Sequence, residues 1–138
     1  MRKAGLLAIL LLGGCVMNNH PAVRPLRPLE IPTAPYDPTA SAALTGTLMY
    51  EGGCLIFRNE ESGQLLMPIW PAGSSFNGTA LLFHLPGKAD QWIAVSQQVL
   101  LSGRPQPWTA LGQPMYQPVE HQCGAYPPFF ATAVRPAD

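Results

Sequence analysis

Charge is scarce in this chain and balanced in sign: eight Lys or Arg stand against eight Asp or Glu in 138 residues. Without a basic excess there is no electrostatic footprint for a phosphate backbone, so nucleic acid is not an expected partner. Cysteine is scarce too. Cys15, Cys54 and Cys123 are the only three; none forms a Cys-x-x-Cys pair and no Cys/His spacing fits a structural zinc site, so neither a redox motif nor a metal site is expected. The apolar run Ala4 to Leu12 has nine residues, short of the ~20 that a helix needs to cross a bilayer. Gly-x-Ser-x-Gly, Ser-x-x-Lys, His-Glu-x-x-His and a glycine-rich phosphate loop are all missing. His84, Asp90, Glu120 and His121 form no catalytic motif, and Glu60-Glu61 occupies a polar turn. The expectation is a protein that is not an enzyme and carries no cofactor.

What is present begins at the N-terminus. Met1-Arg2-Lys3 is a positive start, the apolar run follows, and Gly13-Gly14 leads directly into Cys15. That order has the layout of a signal peptide over residues 1–14. Leu12-Gly13-Gly14-Cys15 resembles the lipobox of bacterial lipoproteins. The resemblance implies that Cys15 carries a diacylglyceryl thioether, that the chain is cut before it, and that acyl chains hold the protein to a lipid bilayer. Position +2 is Val16 and not the aspartate that favours inner-membrane retention in enterobacterial-type sorting. The expected location is therefore the outer membrane, facing the periplasm. Removing residues 1–14 takes Arg2 and Lys3 away and leaves 124 residues with six basic and eight acidic side chains, a net charge of −2.

Six prolines fall between Pro21 and Pro38 at gaps of three or four. Proline fixes φ and removes a donor, so residues 15–43 read as an extended tether, with a reach on the order of 60 to 80 Å. An arm lying along the domain, with Tyr36 docked, is the alternative.

Residues 44–135 read as one small domain of short apolar runs broken by turn residues, the pattern of an all-β protein. Leu44–Tyr50 and Cys54–Arg58 flank Glu51-Gly52-Gly53, a hairpin turn. Gln64–Trp70 follows, with Pro68 demanding an edge or a bulge. Thr79–Leu85 is a fourth strand. Gln91–Val95 and Val99–Leu101 are two further strands or one bulged strand, with Trp92 in the core. After a proline-rich excursion, Phe129–Val134 is the last strand and residues 136–138 are a tail. The expected fold is a small open or closed β-barrel of the oligonucleotide-binding (OB) type, with a β-sandwich as the alternative.

With Cys15 lipidated, Cys54 and Cys123 remain as an even pair in an exported chain, which reads as a disulfide pinning the excursion to the second strand. Three aromatics on stiff, proline-flanked backbone are candidate binding residues: Trp70, Trp108 and Tyr126. Trp70 has a second role open to it, closing the end of the barrel core. Gly53-Cys54-Leu55, Ile69-Trp70-Pro71 and Cys123-Gly124 are similar to the "GCL", "IWP" and "CG" elements of small uncharacterised bacterial envelope proteins. That resemblance spans about residues 46–130 and implies no activity. The expected function is a non-enzymatic binding or assembly accessory engaging an envelope protein. A glycan, peptidoglycan or small-ligand binder, and a structural or envelope-stress protein, are the alternatives.

Overall fold

The structure, a computed structural model, describes residues 23–137. The signal peptide and Cys15 lie outside the described residues. Glycine pairs and alternating apolar residues build the first hairpin. β2 (Ala42–Glu51) turns at Gly52-Gly53, both in the left-handed region (φ 60 and 80), and returns as β3 (Cys54–Asn59). β4 (Leu65–Pro71), β8 (Gln98–Pro105) and β9 (Pro128–Pro136) complete a ring of hydrogen-bonded strands in the order β2-β3-β4-β9-β8 and back to β2. Neighbours are antiparallel except β4 and β9, which run parallel. This is a closed five-stranded barrel of OB-like order. Closure removes the free edges that an open sheet of this size would present.

Alternation decides what fills the barrel. Leu48, Leu55, Phe57, Leu66, Trp70, Val99, Leu101, Phe129, Ala131 and Val134 belong to one buried cluster. On β9 the inward phase shifts from Phe129 and Ala131 to Val134, because a bulge opposite Ser102/Gly103 skips Thr132, whose hydroxyl donates to the Ser102 carbonyl. Gly46 and Gly103 allow close strand approach: a Cβ on either would fall on the Arg58 or Phe130 carbonyl.

Pro68 lies in a buried strand, and the reason is a change of partner. β3 pairs with β4 only through Phe57↔Leu66 and Arg58↔Leu65. Continuing that register would set Leu55 opposite Pro68, which has no N–H to give. Beyond it the same edge of β4 takes up β1 (Thr33–Ala34), parallel to Trp70–Pro71, with Trp70 N–H donating to the Pro32 carbonyl at 3.0 Å and Ala72 N–H to Ala34 at 2.8 Å.

β1 corrects the expected tether. Among the described residues the chain ahead of β2 lies as an arm on the barrel, the alternative the sequence left open, so the domain begins before residue 44. Prolines suit this role, since the arm meets β4 as an acceptor: Pro32 and Ala34 offer carbonyls to Trp70 and Ala72, and Thr33 offers its own to the Tyr116 hydroxyl at 3.1 Å. Ala34 is buried, whereas Tyr36 is 40 % exposed. At the other terminus β9 runs on through Pro136, and Ala137 N–H donates to Gln98. The tail expected at 136–138 is therefore part of the sheet up to Ala137.

Between β4 and β8 lies a separate three-stranded sheet, β5 (Ser75–Phe76), β6 (Ala80–Phe83) and β7 (Gln91–Ala94). Its inner side chains Phe76, Leu81, Phe83 and Ile93 join the barrel cluster, and Phe83 meets Trp70 edge-on with ring centroids 6.1 Å apart. The two short runs after Asp90 are thus two strands in different sheets. They are separated at Ser96, which adopts φ 74 and donates its N–H to Leu48.

The excursion between β8 and β9 holds two 3-10 turns (Trp108–Ala110, Pro114–Tyr116) and one helix, α1 (Gln117–Cys123), with a proline in its first turn, where no N–H is missed. It covers the outer face of β3 and β4. Ile56 and Met67 pack there with Val119 and the bridged Cys54 and Cys123, whose Cα atoms are 6.0 Å apart. The expected disulfide is present and joins α1 to the start of β3.

Candidate functional site

The three aromatics chosen from sequence fare differently. Trp70 is fully buried and takes the second of the two roles open to it, closing the barrel core, so it offers no surface to a partner. Its strand is buried on both faces because the arm and the excursion cover the outside. Its Nε1 has no hydrogen-bond partner among the described residues. Trp108 is half-buried between the two outer clusters and donates its Nε1–H to the Tyr126 carbonyl at 3.0 Å. Tyr126 is half-buried in the same layer. Trp108 and Tyr126 lock the excursion, each keeping part of its ring in solvent.

The most exposed large apolar side chain among the described residues is instead Trp92, at 59 %. It was expected in the core, but the inward residue of β7 is its neighbour Ile93. On a strand the next position must face the other way. Trp92 pairs with Leu82, Leu82 with Ser75, and Ala80 with Ala94. The outer face of this small sheet therefore carries Ser75, Ala80, Leu82 and Ala94 beside one indole on the edge strand β7. The pairing with β6 sets the phase: Leu81 is inward and faces Ile93, which leaves Trp92 opposite Leu82 on the outer side.

Just past the paired positions, the register brings His84 opposite Asp90, with Nδ1 and Oδ1 2.7 Å apart. The His84 backbone N–H donates to the Ser74 hydroxyl, and the imidazole packs against Gly73, where a Cβ would strike the ring. A carboxylate on one ring nitrogen orients an imidazole. Both groups are substantially exposed. Among the described residues no group of three His, Cys, Asp or Glu is arranged to hold a metal. No described helix is long and apolar enough to cross a membrane.

A second concavity lies where the arm meets the excursion. Ala34–Asp37 and Ala110–Gln113 wall a groove of about 360 Å³. The Arg104 guanidinium sits in it, 4.9 Å over the Phe130 ring, with Asp37 at 3.4 Å and the Thr39 carbonyl at 3.3 Å. The Thr39 backbone N–H, more than the arginine, holds the Asp37 carboxyl below the usual carboxylate range. Burial pushes the Tyr116 hydroxyl up, keeping it a neutral donor to the arm.

The arm's start is fastened by charge. Arg24 makes a two-pronged contact with Glu30 (2.8 and 2.7 Å), and the Arg27 N–H donates to the same carboxylate. The Arg24 guanidinium, helped by that N–H, pulls the Glu30 pKa from 4.5 to about 2 against a smaller opposing effect of burial. A depressed carboxylate stabilises the fold above its unfolded pKa, and the contribution fades as pH falls through the folded value. The loop Arg24–Glu30 is therefore expected to loosen between about pH 4.5 and 2. The Glu30 carboxyl, followed by carbon-13 NMR, reports it. A midpoint near 4.5 would mean that the pair does not form in solution.

Fold and surface together define the class: a disulfide-locked, five-stranded β-barrel of OB-like order with an exposed tryptophan and a proline-rich N-terminal arm. Compared with protein-family models, curated proteins and solved structures, the chain matches none.

Proposed function

We propose that this protein is a lipid-anchored envelope module that binds another envelope protein through the outer face of the β5–β7 sheet, with Trp92 as the anchor residue. The observation that carries the reading is the exposure of Trp92 on the edge strand β7, beside Leu82, Ala80 and Ala94 on the same outer face. An isolated exposed apolar residue needs no explanation, but a tryptophan beside leucine and alanines on one sheet face has the composition of an interface hot spot. The signal peptide and lipobox support anchorage in the envelope. Scarce charge and the absence of the usual catalytic motifs support binding over chemistry.

A photo-crosslinking amino acid placed at Trp92 in the full-length protein in its native cells tests the reading. One protein adduct is expected from position 92, lost on Leu82→Glu, and none is expected from Glu61 in the β3–β4 turn. No adduct at position 92, or the same adducts at both positions, sinks it. A second reading, a small-ligand or glycan binder, has the Arg104 groove in its favour. In that case peptidoglycan fragments raise the melting temperature and Arg104→Gln abolishes the rise.

A further inference from the structure

We propose that the end of the domain from which the chain runs back to Cys15 rests directly on a phospholipid bilayer surface, through Val23, Leu29 and Met115. The inference depends on the reading of Cys15 as the lipid anchor and adds an orientation to it. Only seven residues, eight chain steps, separate Cys15 from Val23. A chain spans at most about 3.5 Å per residue, so the domain is held within about 28 Å of its lipid whatever path those residues take. A domain of this size has a radius of gyration of about 13 Å. The docked arm has shortened the tether to roughly one domain diameter, and the end carrying Val23 is the end that faces the membrane.

The side chains at that end suit a lipid surface. Val23 is 40 % exposed, Leu29 40 % and Met115 54 %. The Arg24–Glu30 contact relates them: Val23 and Leu29 are the chain neighbours of the two ions, which themselves share with Met115 the wall of a hollow of about 260 Å³. Leu29 is in the left-handed region at φ 63, rare for a leucine, and is held there by the Glu30-to-Arg27 backbone turn and by its own N–H on the Tyr50 hydroxyl. Strain of that kind persists where the surroundings enforce it, and here its effect is to project an aliphatic side chain outward. Flexible aliphatic groups beside Arg24 and Arg27 match the boundary between acyl chains and headgroups, where arginine stems lie flat and their charged ends reach the phosphates. Arg24, Arg27 and Glu30 sum to a single positive charge, so apolar contact governs the docking and anionic lipid only modulates it.

The test uses the full-length lipoprotein in vesicles of phosphatidylethanolamine and phosphatidylglycerol. An environment-sensitive fluorophore is carried on Leu29→Cys, on Met115→Cys or on Lys88→Cys, and the mass of the N-terminal fragment is read in parallel. Leu29 lies beside Gly78 at one end of β6, whereas Lys88 is in the turn beyond the other. Lipids brominated on their acyl chains are expected to quench positions 29 and 115 strongly and position 88 not at all, and Met115→Ser is expected to weaken quenching at 29. A lipidated Cys15 without quenching at 29 and 115 overturns the docking and leaves the anchor standing. An unlipidated Cys15 overturns the anchor reading and the docking with it.

Discussion

Opening the Cys54–Cys123 bridge, by reduction or by paired Cys→Ser substitution, is expected to destabilise the domain by about 4 kcal/mol. The bridge spans 69 positions, and a loop of that size restricts the unfolded chain by this much in the chain-entropy model. For a domain of roughly this length that corresponds to a fall in melting temperature on the order of 15 °C. Thermal unfolding with and without reductant measures it. The size of the effect follows from where the bridge sits. The excursion between β8 and β9 contributes one short helix and two 3-10 turns, too little to be stable alone. It is held by the apolar layer of Ile56, Met67 and Val119, by the Trp108 Nε1–H on Tyr126, and by the disulfide. A loss under about 1 kcal/mol would mean that this packing alone keeps the excursion in place.

The second large effect separates two tryptophans: Trp70, for which the sequence left both a core and a binding role open, and Trp92, which it placed in the core. Trp70→Ala is expected to lower stability by about 3 to 5 kcal/mol, the range for removing a buried aromatic. It would leave a hole where Phe83 of the inserted sheet meets the barrel. Trp70→Phe is expected to lose much less, since among the described residues the indole N–H has no hydrogen-bond partner that its removal would leave unpaired. Trp92→Ala, at a side chain 59 % exposed, is expected to change stability by about 0.5 kcal/mol or less while abolishing partner capture. Chemical denaturation of the three variants reads the ranking. Equal losses for Trp70→Ala and Trp92→Ala would place Trp92 in a packed environment and remove the basis of the proposed interface.

The proposed partner contact and the proposed lipid contact use different surfaces. The arm completes the edge of β4 beyond Pro68. Acid that releases Glu30 would free the arm's first turn before it disturbs the barrel, whose core contains no titratable side chain.

Particular elements show which parts of this fold are written locally. Glycines at 52 and 53 dictate a hairpin whatever surrounds them, and alternation in Leu44–Tyr50 and Cys54–Arg58 dictates its two strands. Cys54 and Cys123, read as a pair in a chain expected to be exported, pointed to the bridge that is present. Those properties depend on neighbours in sequence and were legible there, as was the all-β barrel class. Pro68 was legible only as an anomaly, because the change from β3 to β1 along one strand edge involves three distant segments. The arm was misread because prolines forbid donors but say nothing about carbonyls, and the carbonyls are what β4 and Tyr116 use. The helix α1 was hidden in a proline-rich stretch, since Pro118 sits where a helix tolerates it. Trp70 and Trp92 each follow a strand period, and a period of two tells which residues share a face without telling which face is inside. Tertiary packing makes that choice, by placing the small sheet's inner side chains over the barrel end and leaving Trp92 in solvent.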